Sequence, residues 1–343
     1  MTCQCQIIPD DVLKRLARDK TIPDAERKAL LDTAAVGAEI RKLRDQAASL
    51  SRLTMAMALD PVSVPPAPAI TVNDCHHGQV LPGTPIAKPD SSSDKSVKGA
   101  FNETKAVADF YQSIFGRNSI DGQGMTLGSS VHYGRNYNNA FWNGSRMAYG
   151  DGDGNLFVDF TGSTDVIAHE LTHGVTQYSL QLDYADEAGG LNESLSDCFG
   201  SMFRQWRAKQ DVHAADWLIG KEIMGPGARA KGFICLRDMA DPGAKHCLAP
   251  QPATYGKIKP GMDPHYSSGV PNLAFCNIAK SIGGNSWEVA GRIWYQAMTA
   301  FKPSPHMRMR TFANRTRSLA KKMFAADRSV FMAVNDGWKS VGL

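Results

Sequence analysis

Apolar residues in the first fifty positions recur near the helical period. Leu13 and Leu16, then Leu30, Leu31, Ile40, Leu43 and Leu50 are spaced among Lys, Arg, Asp and Glu, and Gly37 is the single glycine from 10 to 50. That pattern predicts a small helical N-terminal segment. The stretch "LDPVSVPPAPAI" (59–70) interrupts it. Proline fixes φ and removes a backbone donor, so the stretch reads as neither regular helix nor central strand. From about 71 to 162 the texture changes to Gly, Asn, Asp and β-formers, predicting short strands with turns at Asn-Gly and Asp-Gly. Beyond 163 the helical period returns over 164–180, 188–208, 271–283, 286–301, 307–323 and 327–337, with Gly/Pro-rich loops chiefly at 225–270. No internal repeat is visible. The fold class this predicts is α+β: a helical segment, a β-rich lobe, a central helix and an α-helical lobe.

The central helix carries "DVIAHELTHGVTQ" (165–177). Positions i and i+4 share a helix face, so His169 and His173 can grip one cation, with Glu170 beside it. H-E-x-x-H alone recurs by chance, and zinc needs a third protein ligand, leaving the fourth position for water. One way to complete the set adds Gly and His three and six residues after the second His; Thr176 and Ser179 stand there, which excludes it. The other takes a glutamate from a second helix, and "GGLNESLSD" (189–197) offers Glu193. The Gly-Gly pair between reads as a turn that folds this helix back. Asp197 falls on the same face as Glu193. There it can accept the free ring N–H of a ligating histidine, which fixes the tautomer and raises basicity. Singly, these residues read as core histidines and an acidic face. Together they read as a zinc site.

Composition narrows the alternatives. The 343 residues suffice for two or three domains, and a hydrophobic share of 43% with 21% charged is that of a globular protein. A net charge of +4 favours neither nucleic acid nor membrane as a partner. The one lopsided stretch, 302–324, has seven Lys/Arg and no Asp/Glu and reads as the solvated face of a surface helix. No apolar run reaches 18 residues, and Asp10, Asp11 and Lys14 interrupt what a secretory leader would need. The expected location is cytoplasmic, or outside the cell by export without a standard signal. Seven scattered cysteines read as free thiols, with a Cys235–Cys247 bridge as the alternative.

H-E-L-T-H followed by G-G-x-N-E-x-x-S-D resembles the thermolysin family of zinc metallopeptidases. The similarity spans most of 74–343, through "FGRNSIDGQGM", "VHYGRNYNNAFWNGSRMAYGDGDG", "LRDMADP" and "GRIWYQAMT". The short N-terminal segment looks most like the protealysin branch. The resemblance implies a two-lobed thermolysin-like fold divided into a helical propeptide (1–58), a Pro-rich linker (59–72), a β-rich catalytic lobe with its central helix (73–180) and an α-helical lobe (181–343). It implies a zinc endopeptidase made as a proenzyme, probing protein and peptide substrates as a monomer and cutting on the N-terminal side of hydrophobic residues. A protease-fold peptide-binding module with little turnover is the alternative.

By the same resemblance, one catalytic zinc is held by His169, His173 and Glu193, with Glu170 as general base. Tyr184 and His265 donate to the oxyanion. Asn139 and Ala140 hold the substrate backbone, and Arg237 bonds the carbonyl after the cut while also reading as an ion-pair partner of Asp197 or Asp238. Val166, Ile219 and Leu236 form the apolar pocket. Two departures stand out. The family's Asp five residues before the histidine is here Pro260, leaving Asp263 either within reach of His265 or not. The family's calcium cluster retains Asp165 and Asp216 but has Arg204, Leu218 and Lys221 at former ligand places, so calcium binding is expected to be absent or reduced, with Arg204 standing in for the ion. Self-processing is expected within 45–72, for example before Leu53 or Met55. At the terminus, Cys3 and Cys5 read either as mobile thiols or as an inhibitory thiolate that ligates the zinc.

Overall fold

Acidic residues open the first helix and basic residues close it, which suits the helix dipole. This α1 (Asp10–Ala17) starts with Asp10 and Asp11, carries Lys14 and Arg15 in its last turn, and buries Val12, Leu13, Leu16 and Ala17 on one face. It packs on α2 (Asp24–Met55). The structure, a computed structural model, describes residues 6–55 and 67–343, except for the side chains of 40–55. Gly37 in α2 has a steric reason. A Cβ there would meet Gln6 Oε1 and Asp10 Oδ1 at 2.6 Å, so a larger residue would have to displace the ends of those two side chains at the chain's start.

The β-rich lobe is a five-stranded sheet in the order β2-β1-β3-β5-β4. Its strands are β1 (Ile70–Asp74), β2 (Thr84–Pro85), β3 (Leu127–Val131), β4 (Ala140–Trp142) and β5 (Met147–Tyr149). β1, β3 and β5 run parallel, while β2 and β4 are antiparallel edges. The Asn143-Gly144 turn joins β4 to β5 as the hairpin signal predicts. Two expectations need correction here. The span read as linker ends too late, because Ile70–Val72 already pair with β3. The lobe also contains a long helix, α3 (Lys95–Phe115), in a stretch read as strands and turns. Its signals are local: Asp94 caps the N-terminus by accepting from the amides of Ser96 and Val97, and left-handed Gly116 closes the C-terminus.

α4 (Thr164–Gln177) and α5 (Asp186–Ala208) follow and pack along each other's length. The Gly-Gly turn expected between them is not a turn. Gly189 and Gly190 lie inside α5, and the reversal occupies residues 178–185. The two glycines instead allow a close approach, since a Cβ on them would meet Pro264 Cγ at 2.7 Å and Ser267 Oγ at 2.3 Å. They thereby seat the segment that carries His265.

Next come the paired β6 (Leu218–Ile219) and β7 (Arg237–Asp238), with the short α6 (Pro226–Ala230) between them. The helical lobe continues through α7 (Pro264–Ser267), α8 (Gly269–Ile282), α9 (Val289–Thr299), α10 (Met309–Met323) and α11 (Arg328–Ser340). Each predicted helix beyond 163 is present to within a few residues. Five of the seven cations of the basic stretch lie on α10, which buries Met309, Phe312, Ala313, Thr316 and Ala320; Arg315 covers the Phe301 ring at 4.0 Å. Among the described residues no helix is long and apolar enough to cross a membrane.

Candidate metal centre and substrate cleft

His169 and His173 are both fully buried on the face of α4 that meets α5. Asp197 Oδ1 accepts from His169 Nδ1 at 2.8 Å, and Asn192 Oδ1 lies 2.9 Å from His173 Nδ1, with Ser196 Oγ at 3.0 Å. With their δ nitrogens so engaged, the two Nε2 atoms face each other at 3.1 Å. Burial lowers the His173 pKa, which keeps its ring neutral. Glu193 Oε1 stands 3.3 Å from His173 Nε2. Its Oε2, 3.5 Å from His169 Nε2, is buried and makes no hydrogen bond. Two imidazole lone pairs and a buried carboxylate oxygen directed at one point repel one another unless a cation lies between them, and they are a donor set that zinc takes. Although burial opposes it, the charge of the neighbouring His265 ring above all holds the Glu193 carboxyl well below the usual range, so it is ionised.

Asp197 does more than orient a ring. Its two oxygens also accept from Arg237 Nε at 2.8 Å, Arg237 Nη2 at 2.7 Å and Asn272 Nδ2 at 2.8 Å. Burial alone would raise its pKa, yet the guanidinium holds the carboxyl down at about 2. One carboxylate thus fixes both a histidine of the candidate donor set and the arginine. Glu170, one residue after His169, accepts the backbone N–H of Trp142 through Oε2 at 3.0 Å. That tie to edge strand β4 had no sequence signal, and neither did Asn272.

Tyr184 and His265 meet at 3.2 Å between the phenol oxygen and Nε2, and the phenol donates a short hydrogen bond to Glu193 Oε1. Burial and the Glu193 charge push the phenol well up, so it stays a donor. Asp263 does reach His265: its Oδ1 lies 2.7 Å from Nδ1 and also accepts the His265 amide at 2.9 Å, capping α7. Pro264 places the histidine one residue into that short helix, so a carboxylate two residues away replaces the one missing at Pro260. Burial lowers the His265 pKa, but Glu193 and Asp263 outweigh it and bring the ring to about 9.

The N-terminal strand lies in this cleft. Gln6 bridges Phe141 antiparallel, so the chain adds itself to the free edge of β4. Ile7 N–H donates to the Ala140 carbonyl at 3.3 Å. The Asn139 side chain clasps Ile8 from both sides, accepting its N–H at 3.1 Å and donating to its carbonyl at 2.9 Å. Arg237 Nη1 donates to the Ile7 carbonyl at 3.1 Å, and His265 Nε2 faces the Gln6 carbonyl oxygen at 2.7 Å. Ile7 belongs to the same buried apolar cluster as Val166, Ile219 and Leu236. Cys3 and Cys5 lie outside the described residues, as do the side chains of Leu53 and Met55.

At the far end of α4, Arg204 holds three carboxylates. It pairs closely with Asp216 and lies 3.7 Å from Asp165 Oδ2 and 3.6 Å from Glu222 Oε1, while Lys221 Nζ reaches Asp216 at 3.0 Å. Leu218 is buried beside them and offers no ligand. Glu222 was not singled out from sequence. Cys235 and Cys247 are free thiols with their sulfurs 3.7 Å apart.

Two family models match the chain: "Thermolysin metallopeptidase, catalytic domain" over residues 70–177 and "Thermolysin metallopeptidase, alpha-helical domain" over 180–343. An extracellular metalloprotease of Pectobacterium carotovorum subsp. carotovorum is 39% identical over 284 residues, covering 80% of each chain. Protease PrtS of a Photorhabdus strain is 38% identical over 287 residues, covering 80% of this chain and 76% of the relative. Among solved structures, the precursor of protealysin, a metalloproteinase from Serratia proteamaculans, superposes with a TM-score of 0.81 at 34% identity, covering 98% of this chain and 99% of that one.

Proposed function

Because the chain belongs to the thermolysin family of metallopeptidases and is a zinc metalloendopeptidase made as a proenzyme, we propose that it cuts on the N-terminal side of hydrophobic residues and is silenced by its own first residues lying in the cleft as a substrate strand. The observation that carries this reading is the pairing of Gln6, Ile7 and Ile8 with Ala140, Asn139, Arg237 and His265. On this reading Gln6–Ile7 mimics a scissile bond, since the Gln6 carbonyl faces His265 Nε2 and an isoleucine follows it. The complete His169, Glu170, His173 and Glu193 set speaks against a binding module without turnover.

His169, His173 and Glu193 would hold the zinc. When bound, it supplies Lewis acidity, acidifying a water and polarising the carbonyl. Glu170 takes a proton as water attacks the carbonyl carbon and returns it to the leaving amine nitrogen as the C–N bond breaks. Tyr184 and the His265 imidazolium donate to the oxyanion. Asn139, the Ala140 carbonyl and Arg237 align the substrate backbone, and the Val166, Ile219 and Leu236 pocket selects the apolar residue. If the metal ligands are these, His173→Ala or Glu193→Ala removes one equivalent of zinc per chain relative to the parent, measured by elemental analysis after dialysis. Full retention in both would reject the ligand set.

The Arg204 cluster takes the place of calcium. Millimolar calcium is then expected to move the thermal midpoint by no more than about 2–4 °C, the equivalent of roughly 1 kcal/mol at this size. A calorimetric shift above 10 °C, as a filled calcium site would give, contradicts it. The domain division proposed is 1–58 for the inhibitory segment, 59–72 for the connection, 73–180 for the β-rich lobe and 181–343 for the helical lobe, with the first strand of the β-rich lobe beginning already at Ile70. Processing within 45–72 frees the monomeric enzyme for protein substrates, and the extracellular naming of the Pectobacterium relative favours export. A Cys3 or Cys5 thiolate on the zinc is a second, additive lock. It predicts faster maturation of the Cys3→Ser/Cys5→Ser chain, followed by gel electrophoresis, and an unaltered rate leaves the strand as the sole inhibitor.

A further inference from the structure

Away from the cleft, a second set of soft and borderline donors converges. Cys235, His246 and Cys247 each present a ligand atom within 4.8 Å of the others. The backbone fixes this convergence. Cys235 and Cys247 form a parallel β-bridge, Ile234 N–H donates to the His246 carbonyl at 3.1 Å and Leu248 N–H to the Cys235 carbonyl at 2.9 Å. The sulfurs stand 3.7 Å apart. Two sulfurs each about 2.3 Å from one tetrahedral zinc are separated by about 3.8 Å, so the two thiols already stand at the spacing a shared ion requires. A disulfide, by contrast, requires closure to about 2.0 Å.

Asp238 completes the set. Its Oδ2 lies 3.1 Å from His246 Nε2, and its Oδ1 is pinned by the amides of Ala240 at 2.9 Å and Asp241 at 3.0 Å. A carboxylate on a ligating imidazole is the partner such rings take around metals. Two buried thiols alone would read as small hydrophobes. Two thiols with a histidine and its own carboxylate do not, and the half-exposed His246 ring, 37% accessible, gives an ion a way in.

We infer that Cys235, Cys247 and His246 form a second metal site, for zinc or a cation of like preference, with Asp238 orienting the histidine or lending an oxygen. On binding, both thiols lose their protons to solvent and the two S–H bonds are replaced by two metal–thiolate bonds. Because Leu236 and Arg237 follow Cys235 directly, the bound ion would tie the loop 233–249 beside the substrate cleft. The site is independent of the catalytic zinc.

The test uses the full chain carrying Glu170→Gln, Cys3→Ser and Cys5→Ser, in which self-processing is expected to be slowed about 10²–10⁴-fold and which has no N-terminal thiol. Loaded with cobalt(II), it should bind two ions per chain and show a near-ultraviolet thiolate-to-cobalt band. Adding Cys235→Ser/Cys247→Ser should remove one ion and the whole band. His246→Ala, at a half-exposed position, should weaken the second ion at least about tenfold while keeping the first. One ion per chain with no thiolate band in the parent would overturn the site. So would peptide mapping that finds a Cys235–Cys247 disulfide in protein handled with cobalt in the absence of oxidant.

Discussion

Glu170→Gln is expected to lower peptide hydrolysis by about 10²–10⁴-fold while leaving metal content and thermal midpoint unchanged, because positioned proton transfer contributes that much. The amide replaces the carboxylate with almost the same shape. Its oxygen can still accept the Trp142 N–H, which Glu170 Oε2 now takes at 3.0 Å. What disappears is the basic oxygen that receives the water's proton. The variant should also persist as the full-length chain, since self-processing needs the same base. Wild-type turnover with one catalytic metal bound would sink the assignment. Loss of metal together with activity would instead mean that Glu170 is a ligand.

The second large effect concerns Ile7. Its side chain is fully buried, and its backbone is held by Ala140 and Arg237. Burying an isoleucine contributes roughly 1.5–3 kcal/mol, and a carboxylate in the same place costs more. Ile7→Asp should therefore free the cleft. The intact chain is expected to hydrolyse a small peptide at least about tenfold faster and to mature correspondingly sooner, since tenfold corresponds to about 1.4 kcal/mol. Hydrolysis by the full-length band, timed before any processed product accumulates, checks this. An Ile7→Asp chain as silent and as slow to mature as the parent would show that the strand is not the lock. The Cys3→Ser/Cys5→Ser chain separates this effect from a thiol on the zinc.

What could be read in the chain follows the range of the interaction concerned. Helices beyond 163 were legible because their apolar period is local, and the H-E-x-x-H pair was legible because i and i+4 share a face on any helix. Glu193 and Asp197 were found through a spacing of four on a second helix. α3 was missed although Asp94 and Gly116 mark its ends, because its glycine- and asparagine-bearing surroundings dominated the composition. The Gly-Gly pair was misplaced for a related reason. Glycine signals a turn or a close approach equally well, and only the nearness of Pro264 and Ser267 chooses between them.

By itself the sequence determined the two-lobed α+β architecture, a candidate metal-donor set, the candidate base and a helical N-terminal segment, all of which rest on periodicity, residue chemistry and family motifs. Tertiary structure alone decided the rest. It brought Asp263 onto His265 where Pro260 had left a gap, made Asp197 the common partner of His169 and Arg237, and gathered Glu222 with Asp165 and Asp216 around Arg204. It also laid Gln6–Ile8 along β4, more than a hundred residues away in sequence. Such pairings are set by where the backbone crosses itself, and hydrogen bonds that short in range carry no trace at large sequence separation.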